Sequence, residues 1–349
     1  MLHKISLANF RNFESKNLQF SKDITVIVGP NASGKTNILE SVFLLATGKS
    51  FKAKIEEEMI QYTAQLSRVG GIVTDEGKVS LELVLTRGLI DVGTDNPEKV
   101  ARKKLMVGGV SKRLIDFAGR FRVVLFGPWD MDLVTESPSV RRKFMDIILS
   151  QVDREYRRAL LSYEKGLRQR NKLLYRIREE GISHSQLLFW NRLLIKNGDF
   201  LSRGREELIN YINSTAGIDN EVFMLEYDRS AISESRIEQY KTEEVAAATT
   251  LIGPHRDDFI FKKADKELAL YGSRGEQRMG VLWLKLAEMS YVKSKVGMPP
   301  TLLLDDIFSE LDHKHREIVK STVEGQQTII TTADPHVVVD FHEANQIEL

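Results

Sequence analysis

The strongest chemical signal in the sequence is a glycine-rich loop at residues 29–37. Gly29, Gly34, Lys35 and Thr36 occupy the fixed positions of the pattern G-x-x-x-x-G-K-[ST]. Glycine lets the backbone wrap phosphate groups with its N–H donors, and the first turn of a following helix favours anions. We expect Lys35 to reach the β- and γ-phosphates of a nucleotide and Thr36 to bind Mg²⁺. The predicted binding residues are Gly29, Pro30, Asn31, Ala32, Ser33, Gly34, Lys35, Thr36 and Asn37.

A second candidate is the pair Asp305 and Asp306, which follows an apolar run at residues 301–304. Ligands of α/β sheets bind beyond the carboxyl ends of the strands, so a carboxylate there can complete a nucleotide site. Asp305 is predicted to hold Mg²⁺, and Asp306 to position or deprotonate the attacking water. Lys35 and Asp306 are therefore the predicted catalytic residues, and Thr36 and Asp305 the predicted metal ligands. The simpler interpretation is a buried strand that ends in two surface carboxylates.

A third candidate lies at residues 272–278, where small residues lead into a helical pattern. Ser273 and Gly275 at the start of a helix would leave N–H groups free to bind an anion. The local alternative is a capping box, in which Ser273 and Glu276 satisfy each other's backbone donors. On local grounds the capping box is preferred, and only the combination of all three motifs favours an anion site.

The elements that must position these residues follow strand-like and helical patterns in turn. A β-branched run at residues 24–28 precedes the glycine-rich loop, and apolar side chains recur at helical spacing over residues 37–46. Residues 139–180 contain one glycine and no proline, which predicts one long helix or two abutting ones. Further strands are predicted at residues 5–10, 69–74, 79–86, 105–107, 122–126, 221–227, 259–261, 301–304 and 328–331.

The order of these patterns is strand-rich, then helical, then strand-rich. It predicts an α/β fold in which one domain is interrupted by a mainly helical, basic insertion. The predicted boundaries assign residues 1–128 and 248–349 to the discontinuous α/β domain and residues 129–247 to the insertion.

Composition excludes several classes of protein. The 349 residues include no cysteine, so disulfides, thiol nucleophiles and cysteine-bound metal centres are excluded. No apolar run approaches the roughly 20 residues that a membrane span needs, and the first residues alternate apolar and polar types, unlike a signal peptide. We therefore expect a cytoplasmic protein with no membrane partner.

Charge is unevenly distributed along the chain. Residues 138–212 contain 16 Lys and Arg against 9 Asp and Glu, although the net charge of the whole chain is only +1. A basic helical insertion could bind the phosphates of a nucleic acid without reading its sequence. The alternative is a solvated helical face balanced by carboxylates such as Glu155, Glu164 and Glu179. The basic residues considered are Arg141, Arg142, Lys143, Arg154, Arg157, Arg158, Lys165, Arg168, Arg170, Lys172, Arg176 and Arg178.

Taken together, the three motifs resemble an ABC-type P-loop ATPase head. More narrowly, the chain resembles the RecF family of bacterial recombination mediators, among the SMC-like DNA-repair ATPases. The residues that carry this resemblance lie at 9–12, 29–37, 48–52, 123–128, 137–142, 253–258, 272–278 and 302–312. The glycine-rich loop is common to thousands of proteins, whereas the last three segments together are far more specific.

The resemblance implies further roles for particular residues. ATP with Mg²⁺ would be sandwiched between two heads, with Ser273, Gly275 and Gln277 at the nucleotide of the partner copy and residues 309–312 crossing the interface. Arg11 matches a position that approaches the nucleotide. Residues 253–258 would lie near the surface of the head, although two carboxylates beside an arginine usually form a local salt bridge.

The resemblance also implies a biological role and a set of partners. The chain would be a weak, DNA-stimulated ATPase of replication, recombination, repair and the SOS response. Mg-ATP would close a homodimer on double-stranded or gapped DNA, and hydrolysis would reopen it. Together with the partners RecO and RecR, the protein would direct a recombinase onto single-strand gaps. Arg274, Glu276 and Thr332 depart from the transporter pattern, which favours slow hydrolysis.

Two other functions remain open from the sequence. A nucleotide-binding subunit of a transporter would place Lys35 and Ser273 closer together than their 238-residue separation. A nucleotide-gated scaffold without useful hydrolysis would keep the glycine-rich loop but not need Asp306 as a catalytic group. A long-armed SMC protein is excluded, because a 75-residue helical region cannot contain its coiled coil.

Overall fold

The computed structural model describes residues 1–74, 77–90, 98–219, 221–309, 313–323, 325–339, 341 and 344–349. In chain order, the strands of these residues are β1 (Leu2–Phe10), β2 (Phe13–Gln19), β3 (Ile24–Val28), β4 (Leu66–Thr74), β5 (Lys78–Thr86), β6 (Leu89–Ile90), β7 (Glu98–Lys99), β8 (Lys103–Val107), β9 (Val110–Lys112), β10 (Val123–Phe126), β11 (Phe223–Asp228), β12 (Asp258–Lys263), β13 (Lys266–Glu267), β14 (Thr301–Asp305), β15 (Thr328–Thr332) and β16 (Asn345–Glu348).

The α-helices of the same residues are α1 (Lys35–Thr47), α2 (Leu114–Phe117), α3 (Asp132–Thr135), α4 (Pro138–Val152), α5 (Arg154–Glu180), α6 (Leu188–Asn213), α7 (Glu234–Gln239), α8 (Lys241–Ala247), α9 (Leu268–Tyr271), α10 (Arg274–Val296), α11 (His313–Val323) and α12 (His336–Val339). The chain divides into two compact units, of which the first comprises Met1–Trp129 and Val292–Leu349 and the second Asp130–Tyr291.

The first unit contains a six-stranded antiparallel sheet and a five-stranded parallel sheet. The antiparallel sheet has the order β2-β1-β4-β5-β8-β9, and the parallel sheet has the order β10-β14-β15-β3-β16. Helix α1 contacts strands of both sheets, and ten of its thirteen residues are buried. The sequence pattern indicated one apolar face, whereas the helix is enclosed nearly all round, as its run of apolar residues allows.

The parallel sheet aligns the two phosphate-site motifs at one edge. Thr332 on β15 pairs with Val28 on β3, and Asp305 on β14 pairs with Thr331 on β15. Because parallel strands end at the same edge, the loop after Val28 and the carboxylate of Asp305 lie one strand apart. The predicted strands at residues 24–28, 301–304 and 328–331 are confirmed.

The second unit combines a three-stranded antiparallel sheet, in the order β11-β12-β13, with helices. Helices α5 and α6 pack along each other, and Gly166 on α5 faces α6. A Cβ atom at Gly166 would lie 2.6 Å from the terminal methyl of Leu193, so a larger residue there would require the Leu193 side chain to shift. Of the two alternatives predicted for residues 139–180, the structure has the two abutting helices, α4 and α5. Asp153 separates them, and its side chain accepts the Glu155 N–H at 2.7 Å to begin α5.

The compact units differ from the sequence-based boundaries at one of two points. The first division, after Trp129, lies one residue from the predicted end of the first segment at residue 128. The second falls at residues 291–292 rather than 247–248, because β12 pairs with β11 over six residues and thereby joins residues 258–263 to the second unit. Strand pairing of this kind joins residues about 35 positions apart, and no local pattern in the sequence reports it.

Candidate nucleotide site and basic helical face

The glycine-rich loop joins β3 to α1, as predicted. Gly34 has φ 106°, a conformation that only glycine adopts without strain. A Cβ atom there would also lie 2.6–2.7 Å from the side chains of Phe13 and Asn12. The glycine is therefore required both by the backbone turn and by the β1–β2 turn that contacts it.

Lys35 closes this loop with its own ammonium group. Its Nζ donates to the carbonyl oxygens of Gly29 at 2.8 Å and Pro30 at 2.9 Å, and the side chain is buried. Among the described residues, the buried hydroxyl of Ser33 makes no hydrogen bond. A buried ammonium and an unsatisfied buried hydroxyl in one loop fit a phosphate group, which accepts hydrogen bonds from both.

The two motifs meet at Thr36 and Asp305. The Thr36 hydroxyl donates to one carboxylate oxygen of Asp305 at 2.7 Å, and the Thr331 hydroxyl donates to the other at 2.5 Å. Asp305 is almost completely buried, and this burial raises the pKa of its carboxyl, although both hydrogen bonds act in the opposite direction.

The Thr36 hydroxyl oxygen and the Asp305 carboxylate are oxygen ligands of the kind that Mg²⁺ prefers. Magnesium binds oxygen ligands, typically one or two carboxylates together with phosphates and waters of the substrate. Within the part of the chain that the structure describes, no group of three or more His, Cys, Asp or Glu side chains forms a metal cluster. Thr36 and Asp305 would therefore share a metal ion with the phosphates rather than enclose it alone.

Asp306 follows Asp305 in a strained backbone conformation, with φ 51°. Its N–H donates to the Thr331 carbonyl at 3.0 Å, and its own carbonyl accepts from the Ser309 hydroxyl at 2.7 Å. Its side chain is only partly buried, so water can reach the carboxylate. The backbone is thus fixed on both sides while the carboxylate remains accessible, a suitable arrangement for orienting water. Residues 310–312 of the predicted interface loop lie outside the described residues.

Arg11 is held by a buried carboxylate that the sequence analysis missed. Two of its guanidinium nitrogens donate to the two carboxylate oxygens of Glu40, at 2.8 and 2.7 Å, and a third donates to the Glu58 carbonyl. Glu40 is fully buried in α1 and also accepts the Ser50 hydroxyl at 2.5 Å. One acidic residue inside an apolar helix was the available signal, because such a charge needs a partner.

Asn12 connects the same turn to the glycine-rich loop. Its amide donates to the Ser33 carbonyl at 3.0 Å and accepts from the Asn37 side chain at 2.9 Å. The nucleotide site therefore includes an amide from the β1–β2 turn, which no fixed spacing in the sequence connects with the loop.

In the second unit, Ser273 and Glu276 form the capping box that the local pattern predicted. The Ser273 N–H donates to Glu276 at 2.7 Å, and the Glu276 N–H donates to the Ser273 hydroxyl at 3.3 Å. Lys263 donates to Glu276 at 2.7 Å and, with the two Ser273 contacts, lowers the pKa of Glu276 to about 2. Ser273 and Gly275 are exposed, but the Ser273 N–H is already bonded to Glu276, so an anion bound there would have to displace that carboxylate.

Gln277, predicted with Ser273 and Gly275, has a different environment. It is buried, and its side-chain amide donates to the Leu268 carbonyl at 3.1 Å. In this structure Gln277 therefore supports the turn that precedes α10.

Residues 253–258 include a buried carboxylate, Asp257, and a partly buried one, Asp258, while Arg256, between them and His255, is exposed. Asp257 is fully buried and accepts hydrogen bonds from Arg205 at 2.9 Å and from Tyr227 at 2.5 Å. Asp258 forms a bidentate ion pair with Arg141, at 2.7 and 2.9 Å. The local salt bridge expected here is absent from the described contacts, since both carboxylates pair with arginines more than 50 positions away along the chain.

His255 belongs to the same segment. Its Nε2 donates to the Thr250 carbonyl at 2.9 Å, because a carbonyl can only accept, and its Nδ1 accepts from the Tyr163 hydroxyl at 2.8 Å. Burial lowers the pKa of His255 to about 4. The histidine is consequently neutral at physiological pH and serves as a fixed link between α5 and the 250–255 segment.

Ten of the twelve basic residues considered in the insertion separate into three groups, and Arg157, outside these groups, donates to the Ser150 carbonyl. The first group bonds to partners inside the unit: Arg141 to the Asp258 carboxylate, Arg142 to the Asp257 carbonyl, and Arg170 to Glu244 in a buried 2.6 Å ion pair. Cations near the ends of α5 pair with neighbouring carboxylates, as the solvated-face alternative expected; they are Arg154, Arg158, Arg176 and Arg178. Lys165, Arg168 and Lys172 are exposed along the middle of α5.

Comparison with known proteins supports one assignment. The family model described as "RecF/RecN/SMC N terminal domain" matches residues 1–348. The DNA replication and repair protein RecF of Herpetosiphon aurantiacus is 35% identical, over 95% of this chain and 92% of that protein. RecF of Ligilactobacillus salivarius is 36% identical, over 95% and 90% respectively.

Solved structures agree with the sequence comparison. A structure described as the recombination mediator protein RecF-ATP in the RecFOR pathway superposes with a TM-score of 0.87 and 29% identity, over 96% of this chain and 92% of that one. A second RecF structure, described as RecF-ATPrS, has a TM-score of 0.86 and 30% identity, over 96% and 93%. None of the helices in the described residues is long and apolar enough to span a membrane. The predicted α/β ATPase-head fold is confirmed, and the chain belongs to the RecF family of DNA replication and repair proteins, within the RecF/RecN/SMC family.

Proposed function

We propose that this chain is an ATP-dependent, DNA-binding recombination mediator of the cytoplasm. The observation that carries the proposal is the 2.7 Å contact between Thr36 and Asp305, which joins the glycine-rich loop to the acidic strand end. Such a junction places a metal ligand beside a phosphate cradle, as ATP hydrolysis requires. Similarity to RecF proteins over nearly the whole chain supports the DNA-repair role.

In the proposed site, residues 29–37 bind the phosphates and Lys35 neutralises their charge. Mg²⁺, held by Thr36 and Asp305, supplies charge stabilisation to the transferred phosphate when bound. Asp306 orients the attacking water as the catalytic carboxylate. Arg11 approaches the nucleotide from the β1–β2 turn. Turnover is slow and stimulated by DNA.

The proposed cycle couples the nucleotide to dimerisation. Ser273, Gly275 and Gln277 of one copy meet the nucleotide of a second copy, so Mg-ATP favours a homodimer through its higher affinity for that state. The dimer closes on double-stranded or gapped DNA, and hydrolysis releases it. RecR- and RecO-type proteins are the proposed partners in loading recombinase at single-strand gaps. We keep residues 1–128 and 248–349 as the proposed functional ATPase head, with the basic insertion at 129–247.

The test measures anisotropy of a fluorescent gapped duplex with and without Mg-ATP, together with the mass of the protein in solution. Wild type should bind more tightly, and as a dimer, when ATP is present. Lys35→Ala should abolish the ATP effect, whereas Lys22→Ala, at an exposed lysine outside the loop, should preserve it. Absence of DNA binding in every nucleotide state would refute the proposal.

A nucleotide-gated scaffold without useful hydrolysis is the second candidate. The capping carboxylate of Glu276 at the start of α10 is the observation that favours it, since it occupies donors that a γ-phosphate would use. Asp306→Asn distinguishes the candidates. If Asp306 is catalytic, phosphate release should fall by about 10²-fold or more while ATP binding persists; unchanged release would favour the scaffold.

A further inference from the structure

We infer that the solvent face of α5 is a contact surface for the phosphate backbone of double-stranded DNA, centred on Lys165, Arg168 and Lys172. This inference rests on the proposed DNA-binding function and names the residues that perform it. The three cations are exposed in the middle of a 27-residue helix. Within the described part of the chain, none of them forms a salt bridge, in contrast to the cations at the helix ends.

The burial pattern of α5 shows that this face is directed away from the unit. The buried residues recur every three or four positions along the opposite side: Tyr156, Ala159, Leu160, Tyr163, Gly166, Arg170, Leu174 and Ile177. Exposed cations recur with the same period on the other side: Arg154, Arg158, Lys165, Arg168, Lys172 and Arg176. Because both sets follow the helical repeat, the six cations form one stripe along the helix.

Carboxylates are scarce along this stripe. Between residues 156 and 178 the only acidic residue is Glu164, which is partly buried. A solvated helix usually alternates charges of opposite sign at i,i+4 spacing, as α6 does with Arg203 and Asp199, which pair at 2.9 Å. The end cations of the α5 stripe also have such partners, in Glu155 and Glu180. Among the described residues its three central cations have none, so the middle of the stripe concentrates charge of one sign, which costs repulsion unless an anionic partner is bound.

The dimensions of the stripe fit a duplex. From Arg154 to Arg176 the helix advances about 33 Å at 1.5 Å per residue, close to the roughly 34 Å of one turn of B-DNA. Lys165 and Lys172 are separated by about 10 Å along the axis. One DNA strand presents a phosphate about every 3.4 Å of its axis, so the three central cations face about three phosphates. Exposed Tyr175 extends the same side of the helix.

The consequence is binding without sequence preference. Lysine and arginine side chains on this face would contact phosphates, and phosphate contacts carry no sequence information. Affinity should therefore depend strongly on salt and weakly on sequence.

The test replaces the three central cations together, as Lys165→Gln, Arg168→Gln and Lys172→Gln, and measures binding to a fluorescent duplex from 50 to 200 mM salt with Mg-ATP. The control replaces Arg203, Lys241 and Lys262 with glutamine, which removes the same charge from cations already paired with carboxylates. Circular dichroism and thermal unfolding verify that both variants fold.

The expected result follows from counterion release. Losing three phosphate contacts should make the negative slope of log K against log salt shallower by about 2.7. Wild-type affinity should thus fall about 40-fold more than that of the α5 variant over this fourfold range of salt. At 100 mM salt the α5 variant should bind at least about tenfold more weakly than wild type, and the control should match wild type.

Three results would overturn the inference. Equal binding by the α5 variant and the control would reject this surface while leaving the proposed DNA-binding function intact. Failure of wild type to bind duplex in any nucleotide state would reject both. Binding of wild type to anionic phosphatidylglycerol vesicles that only the α5 variant loses, with duplex binding unchanged, would assign the stripe to a membrane surface.

Discussion

The ion pair between Arg11 and Glu40 provides a direct test of how the nucleotide site is held together. The pair is bidentate, and Glu40 is fully buried. Replacing Arg11 with Met removes the guanidinium but keeps a side chain of similar length. The carboxylate then remains buried, with the Ser50 hydroxyl still donating to it. Breaking a buried pair on one side costs about 3–5 kcal/mol, so we expect unfolding free energy to fall by about 3 kcal/mol.

A second substitution separates charge compensation from nucleotide binding. Glu40→Gln in the Arg11→Met background removes the uncompensated charge, and the loss should shrink to about 1 kcal/mol. If Arg11 also contacts ATP, the double variant regains stability but still binds ATP weakly. If Arg11 serves only Glu40, stability and ATP affinity recover together.

The assay combines urea denaturation with ATP titration for each variant. Arg68→Met is the matched control, because Arg68 pairs with Glu82 at 3.0 Å but remains mostly exposed. An exposed pair contributes about 0–1 kcal/mol, so this variant should resemble wild type. The reasoning fails if Arg11→Met costs no more than Arg68→Met, or if Glu40→Gln does not restore stability.

Two further predictions concern pH and metal. Because burial lowers the pKa of His255 from 6.5 in the unfolded chain to about 4 in the fold, the stability that its neutral form contributes is complete above pH 6.5 and is lost as pH falls. Between pH 7 and pH 4 the unfolding free energy of wild type should therefore fall by about 3 kcal/mol more than that of His255→Gln. Urea denaturation at each pH measures this, and a pH-independent difference between the two proteins would contradict it. Thr36→Val removes the hydroxyl that contacts Asp305. The gain in ATP affinity on adding Mg²⁺ should therefore be at least about tenfold smaller in this variant than in wild type or in Thr36→Ser, as measured by ATP titration with Mg²⁺ or with EDTA. An undiminished Mg²⁺ effect would exclude Thr36 as a metal ligand.

The phosphate loop could be predicted from the sequence because its determinants are local. A β-branched strand, a turn that requires glycine at Gly34, and an apolar helix follow one another within 24 residues. The acidic strand end was also predictable, since an apolar run ending in Asp305 needs no distant partner to be recognised.

The partners of these residues could not be predicted, because they come from distant parts of the chain. Arg11 and Glu40 are 29 positions apart, and Arg170 and Glu244 are 74 apart. Such pairs leave no periodic signal in the sequence. Counting cations gave the sign of the insertion's charge, but only the fold shows that Arg170 is neutralised inside the unit while Lys165 is exposed.

The order of strands in the parallel sheet also determines when the nucleotide site can form. Among the described residues, strand β3 pairs with β15 and β16, which lie about 300 residues later in the chain. At roughly 5–20 residues per second, a ribosome needs about 15–60 s to deliver those partners. The second unit is continuous from Asp130 to Tyr291 and can complete its own contacts earlier. The helical unit that carries the basic stripe therefore precedes the ATP site during synthesis, and β3 remains an unpaired, aggregation-prone strand until the sheet closes.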